Sequence, residues 1–363
     1  MKVKWMKKMV ALMAVGTMVL TLFAGCGSKE AVQEENPDSL NIMVWEGTWS
    51  EEIFKDFTKE TGIEVNISYI DNTDTLLSKL VEGSAEYDLI DLEGAYVQSF
   101  VDGELLAKID KSSLKNLSNI KDEYLEKGPI GDEEGAYTIT NMGPGYTSVV
   151  YNKETCPVEI HSLKDLADPA LKGQIAMVNS TISLYGAALV ACGYEANSTD
   201  EAEMKEANDL LKEIKKNVKA FVGETAVSVL ENGECSVALC WDYMTLCNDN
   251  KENWDKFEMV ELEDGCEQFI QYWAIPSSST KQAAATQLID FLLRPEEASK
   301  SYVEYGGNPN LKEDVLADYV PQDYYENPSF AKYDAVYDKS WNVAVNDEQI
   351  SLMDTFYTEL MGN

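Results

Sequence analysis

The chain has 363 residues, 45% of them hydrophobic, and a formal net charge of −35. Its length exceeds one ordinary core and predicts two domains. The charge excludes a nucleic-acid partner, which needs basic surface, and adhesion to anionic lipid.

In chain order the first feature is basic and then apolar. Met1 to Lys8 holds four lysines, and Met9 to Gly25 holds no charge. A basic region, an apolar run and small residues, in that order, predict a secretory signal over 1–25. The run is short for a ~20-residue membrane span. It ends in "FAGC", which resembles the lipobox of bacterial lipoproteins, with Phe23 in place of the usual leucine. The resemblance implies that Cys26 is acylated and becomes the first mature residue. Each buried CH2 of such an anchor contributes ~0.8 kcal/mol, so two or more acyl chains hold firmly. The polar stretch over 26–38 then reads as a lipidated tether. It places the protein on the extracytoplasmic face of the membrane, or in a periplasm.

The mature chain opens as alternating strands and helices. "SLNIMVW" is an apolar strand. "TWSEEIFKDFTKETG" is a helix with Thr48 as N-cap, Glu51 completing a capping box and Gly62 as its stop. "IEVNISYI" alternates as a strand does, "DTLLSKLVEG" is a helix, "YDLIDL" a buried strand, and "AYVQSFVDG" begins another helix. The order βαβαβ predicts a parallel sheet flanked by helices. A second unit follows: strand "GQIAMVN", helix "SLYGAALVACG", long helix "EMKEANDLLKEIKKNV", strand "KAFVG", helix "TAVSVLENG", strand "CSVALCW" and strand "FEMVELE".

"YTSVVYNKE" and "FIQYWAIPSSS" read as crossings between the units, and "KQAAATQLIDFLLRPEEASKSYVEYG" as one helix packed on the first. Each domain is therefore discontinuous: 39–147 with 271–314 as the first lobe, 148–270 with 315–363 as the second. Six cysteines remain after Cys26, namely Cys156, Cys192, Cys235, Cys240, Cys247 and Cys266. Location permits disulfides. The apolar settings of Cys192 and Cys240 equally suit buried thiols.

Several stretches carry a family resemblance: "FTKETGIEVNISYIDNTDTLLSKL", "YDLIDLEGAYV", "AKIDKSSLKNLSNI", "LKDLADPALKGQIAM", "YWAIPSSSTKQAAATQLIDFLLRPEEASK" and "GGNPN". Together, and in this order, they resemble the spermidine/putrescine-binding proteins, the solute receptors of polyamine ABC importers. The resemblance covers nearly all of Ser39 to Asn363. It implies an α/β fold of the periplasmic-binding-protein type: two lobes, each a mainly parallel sheet flanked by helices, closing on a ligand across a hinge. It implies two partners, a small linear amine and a membrane permease. The chain is expected to act as a monomer.

In open α/β sheets ligands sit beyond the carboxyl ends of the strands. That rule selects "WEGTW" (Trp45, Glu46, Thr48, Trp49) and "EGAY" (Glu93, Tyr96) in the first unit. In the second it selects "NSTIS" (Ser180, Ser183), "GET" and "WDY" (Trp241, Asp242). Aromatic rings hold methylenes and cations, and carboxylates hold ammonium ends. The resemblance adds positions one by one. Trp45 and Trp241 match aromatic positions that line the polyamine, and Trp341 with Asn342 matches a late Trp-Gln. Phe269 stands where the family has tryptophan, and the "YGGN" around Tyr305 lacks the tyrosine expected near Gly306. Gln271 stands where the family has an aspartate, and Ser180 and Ser183 stand at two further acidic positions. Ala95 replaces a tyrosine. New acids appear at Glu46, Glu93 and Asp242.

Two rivals are weaker. An enzyme lacks material: His161 is the only histidine and reads as a surface or cap residue, "GPGYTS" lacks the Gly-Lys-Ser/Thr of a phosphate loop, no Cys/His cluster suits zinc, and "DEE" at Asp132 reads as a solvated loop. No cofactor motif is present. An anion receptor would want arginine, and the only one, Arg294, lies on a helix away from the selected loops. A zwitterion remains open, with its acid at Ser180 and Ser183 on a helix N-terminus and its amine at Glu93 or Asp242.

Overall fold

A computed structural model describes residues 37–363, except Asp71, Asn72, Ala85, Glu224, Asp242 and Asn363. The signal segment and Cys26 lie outside the described residues. The strands are β1 (Ser39–Trp45), β2 (Glu64–Ile70), β3 (Leu89–Glu93), β4 (Leu106–Ala107), β5 (Thr138–Thr140) and β6 (Gly145–Asn152). They continue as β7 (Ile175–Val178), β8 (Val218–Val222), β9 (Val237–Cys240), β10 (Phe257–Met259), β11 (Glu267–Phe269) and β12 (Gln271–Pro276).

One sheet has the order β2-β1-β3-β12-β4, with β5 on β12; the other has β10-β6-β9-β7-β8, with β11 on β6. The βαβ pairs β1–β2, β1–β3, β7–β8 and β7–β9 are parallel, as the alternating pattern requires. The sheets are nevertheless mixed rather than mainly parallel. β12 runs antiparallel to β3, β4 and β5, and β6 runs antiparallel to β9, β10 and β11. The cause is the crossing itself. A chain arriving from the other lobe enters at the carboxyl ends of the parallel strands, so it must run down against them. The changes of sheet are abrupt. Phe269 pairs with Gly145 in one sheet and Gln271 with Glu93 in the other, with only Ile270 between. The outward crossing takes Asn141 to Pro144, between β5 and β6.

Period-two alternation divides the first lobe's core. Leu40, Ile42, Val44, Leu89, Trp273 and Ile275 fill one face of its sheet, while Met43, Ile90, Leu92, Tyr272 and Ala274 fill the other. The second lobe's core gathers Val149, Ile175, Met177, Leu184, Leu189 and Leu239.

Three local expectations are corrected. The first helix runs Glu51–Thr61, and its N-cap is Ser50, not Thr48. Ser50 is buried and gives its N–H to Ser301 Oγ at 3.0 Å. Gly62 does end the helix, at φ 78°. The long late helix is two, Gln282–Leu292 and Pro295–Tyr305. Pro295 has no N–H to donate and pushes Arg294 to extended backbone, φ −73° and ψ 132°. Finally, Leu316, Val320 and Tyr324 pack into the first lobe's core, although the sequence assigns them to the second. The chain crosses again only after Glu326, and Tyr333 and Val336 of the helix Pro328–Tyr337 join the second core.

A strap over 340–346 then touches both lobes. Trp341 N donates to Cys266 O at 3.1 Å and Gln268 N to Trp341 O at 2.8 Å. Asn197 accepts from Ala344 N at 2.9 Å and donates to Asn342 O at 3.3 Å. On the first lobe, Val345 N donates to Ala95 O at 2.9 Å, and Ser99 Oγ to Val345 O at 2.9 Å. All six described cysteines are free thiols, and Cys235, Cys240, Cys247 and Cys266 are buried. We expect Asn197→Ala to speed amide exchange over the strap at least about tenfold, ~1.4 kcal/mol of local opening, with β1 and β7 still protected. Hydrogen exchange read by mass spectrometry checks this, and unchanged strap exchange would count against it.

Candidate functional site: the facing ends of the strands

The crossings bring the selected loops to one end of each sheet. In the first lobe β1 ends at Trp45 and β3 at Glu93, and β12 starts beside them at Gln271. In the second, β7 ends before Asn179 and Ser180, β9 ends before Trp241, β6 starts at Gly145 and β11 ends at Phe269.

Trp45 is half-buried, and no acceptor among the described residues meets its buried indole N–H. Glu46 is exposed and Thr48 half-buried. Trp49 belongs to the core instead of the loop surface. It is 5% exposed, its ring centroid lies 4.7 Å from that of Trp273, and its Nε1 donates to Asp91 Oδ2 at 3.0 Å. Glu93 is half-buried at the N-cap of a 3-10 turn, Gly94–Tyr96, and pairs in register with Gln271. Tyr96 is buried. Tyr305 is exposed and ends its helix, near Glu304, Tyr69 and Glu51.

On the second lobe Ser180 caps the helix Thr181–Cys192 by accepting from Ser183 N at 3.2 Å. Ser183 is buried, and its Oγ accepts from Trp241 Nε1 at 3.3 Å. Asp242 lies outside the described residues. Phe269 lies across Gly145, where an added Cβ would stand 2.3 Å from the ring. Trp341 does the same over Gly186, at 2.8 Å, and its indole N–H is also buried without an acceptor. Asn342 is exposed and joins the site only through its carbonyl. Arg294 forms a forked pair with Glu60, at 2.7 and 2.8 Å, on the first lobe's outer helices.

The profile of the bacterial extracellular solute-binding proteins matches residues 52–332. The chain belongs to that family. A spermidine/putrescine-binding periplasmic protein of Salmonella typhimurium is 29% identical over 311 residues, 85% of each chain. Another, numbered 1 in Haemophilus influenzae, is 26% identical over 365 residues, 98% of this chain and 99% of its own. Among solved structures, a spermidine/putrescine ABC transporter substrate-binding protein of Streptococcus pneumoniae superposes with a TM-score of 0.76 at 20% identity. That match covers 90% of this chain and 99% of the other. At that identity the likeness speaks for the two-lobed α/β fold.

The family's members are solute receptors, and the carboxylates under the loops are what a strand-end rule does not find. Asp91 is 1% exposed, in the middle of β3. It accepts from Asn141 Nδ2 at 2.6 Å, from Trp49 Nε1 at 3.0 Å and from the backbone of Trp45. It thereby ties the Trp45–Trp49 loop to the outward crossing. Glu267 is the second such acid, in β11. The available signal was an acid inside an apolar run: "DLIDL" and "CEQFIQYW". Asp132, read as solvated, is buried too. It holds its own turn by accepting from Ala136 N at 2.6 Å, Tyr137 N at 2.9 Å and Thr138 Oγ1 at 2.8 Å.

Burial pushes the Asp91 carboxyl up to about 7, against the pull of its three donors. A carboxyl raised on folding holds its proton more tightly when folded. Its contribution is therefore full below the unfolded value, near 4, and is lost as pH rises through about 7. The melting temperature should fall from about pH 5 to about pH 8, and less steeply in Asp91→Asn, which cannot titrate. Scanning calorimetry across that range checks it; equal slopes in the two proteins would contradict the assignment.

Proposed function

We propose that the protein captures a small linear amine of the putrescine and spermidine class between its lobes and delivers it to an ABC importer permease. It acts as a monomeric receptor, not an enzyme, held outside the membrane by lipid on Cys26. One observation carries the reading: each lobe closes a central parallel strand with an indole, Trp45 as the last residue of β1 and Trp241 just after β9, while the single arginine is spent on Glu60. The relatives named for spermidine and putrescine support it. Each desolvated cation–π contact contributes about 2 kcal/mol, and each charge-assisted hydrogen bond about 1.5–3 kcal/mol. A few of them suffice for micromolar affinity, ~8 kcal/mol, after association costs. Contacts to both lobes then favour the closed arrangement.

A second reading, a zwitterion, is favoured by the unpaired indole N–H groups of Trp45 and Trp341, which suit an acceptor such as a carboxylate.

Titration calorimetry with putrescine and spermidine should give saturable heat near micromolar ligand. Trp45→Ala and Trp241→Ala should each weaken binding at least about tenfold, ~1.4 kcal/mol. No heat at near-millimolar amine, with binding of an amino acid instead, would favour the zwitterion. The anchor has its own check: Cys26→Ala should lose palmitate labelling and release the protein from membranes, and normal labelling would refute it.

A further inference from the structure

Glu267 is 5% exposed, and its side chain points at neither solvent nor a base. Thr147 Oγ1 lies 2.6 Å from its Oε2 and 3.5 Å from Ser183 Oγ, which places the Ser183 hydroxyl beside the same carboxylate. Once ionised beside a cation, the carboxylate only accepts, so both hydroxyls then donate to it. With its proton spent there, Ser183 Oγ accepts from Trp241 Nε1 at 3.3 Å. The relay runs from Trp241 through Ser183 to Glu267, with Thr147 closing it from β6. It thus joins four of the elements that end at the second lobe's loops. Phe269 stands two residues on, on the same face of β11, and Trp341 bridges Glu267 through its backbone.

Among the described residues no lysine, arginine or histidine forms an ion pair with Glu267. The contrast with Asp88 is direct. Asp88 is equally buried but pairs with Lys281 at 3.3 Å and accepts from Ser279 Oγ at 2.7 Å. Asp91 lacks a cation but accepts three N–H groups. Glu267 has two hydroxyls alone, the weakest compensation of the three. A buried charge left in that state is stabilised by a cation brought to it.

We propose, on the reading that the ligand is an amine, that Glu267 is the second lobe's counter-charge. A ligand ammonium packed on Trp241 stands before the Ser183 hydroxyl, and the carboxylate behind that hydroxyl balances its charge. Glu267 is thus the positioning residue that selects cationic over neutral ligands. Burial raises its pKa, and the Ser183 and Thr147 hydroxyls lower it. An arriving ammonium favours the ionised form, so binding releases a proton. The neighbours that titrate are few. The Cys266 thiol, beside it on β11, is pushed up to about 12 by burial and by the charge of Glu267. Thr147, Ser183, Trp241 and Trp341 face it uncharged, and Asp242, next to Trp241, lies outside the described residues.

The test is putrescine titration of the purified protein at several pH values, in two buffers of different ionisation enthalpy. The wild type should release protons on binding, fewer as the pH rises. Glu267→Gln should release none and bind at least about tenfold more weakly, with an equal or higher melting temperature. Thr147→Val keeps the charge but removes a donor. It should lose affinity more at low pH than at high pH, which a purely structural role would not produce. If the wild type binds putrescine, and Glu267→Gln binds as tightly with the same proton release, the counter-charge is refuted and the amine reading stands. If the wild type binds neither putrescine nor spermidine, the amine reading fails and the proposal with it. Should Glu267→Gln not fold, a pH-independent loss in Thr147→Val refutes the proposal.

Discussion

A single residue, Ile270, separates the two sheets. Phe269 hydrogen-bonds into one and Gln271 into the other, so neither strand can slip without moving the other's register. Side chains alternate across a strand, and a one-residue slip would turn every apolar group of β12 to the wrong face. The cores therefore fix the crossing, and the crossing fixes which loops meet. Ile270 O also accepts from Gly94 N at 2.9 Å, in the turn that follows β3. An added Cβ at Gly94 would stand 2.9 Å from that oxygen, so the turn approaches closer than a side chain permits. The carboxyl ends of the parallel strands and the entry points of the antiparallel ones are held together by this short stretch of backbone.

Charge is distributed by the same logic. Most of the 64 acidic residues are solvated, and their pairs with lysine, such as Lys55 with Glu51, are exposed and contribute little. The informative acids are the few inside. Asp88 and Asp132 are fully satisfied, one by a lysine and one by its own turn. Asp91 and Glu267 instead sit beneath the loops of their respective lobes, each holding an indole: Trp49 directly, Trp241 through Ser183. Carboxyl groups are brought near the strand ends from below, on rigid strands, where side-chain entropy is already spent.

Much of this was legible in the sequence. The βαβ order and the strand ends follow from local pattern. What was not legible depends on pairing between distant segments. The antiparallel entry of β6 and β12 is a property of the crossing, not of either strand's residues. Thr48 fits an N-cap by spacing, yet Ser50 takes the place because Ser301, 251 residues away, receives its N–H. Trp49 belongs by position to a ligand loop, and the buried Asp91 draws it into the core. The break at Pro295 could have been read, since proline ends helices locally.

The buried thiols set a condition on how the molecule is made. Burial pushes Cys247 up to about 11 and Cys266 to about 12. At neutral pH the reactive thiolate of Cys247 is then roughly one part in ten thousand, so once folded these groups are inert. If the chain is exported unfolded to an oxidising compartment, as its proposed role requires, it carries the same cysteines exposed, at ordinary reactivity. Folding would then be a race between collapse of the second lobe's core, which holds four of them, and oxidation into cross-links that the packed structure does not contain. The packed core protects these thiols by shape rather than by chemistry.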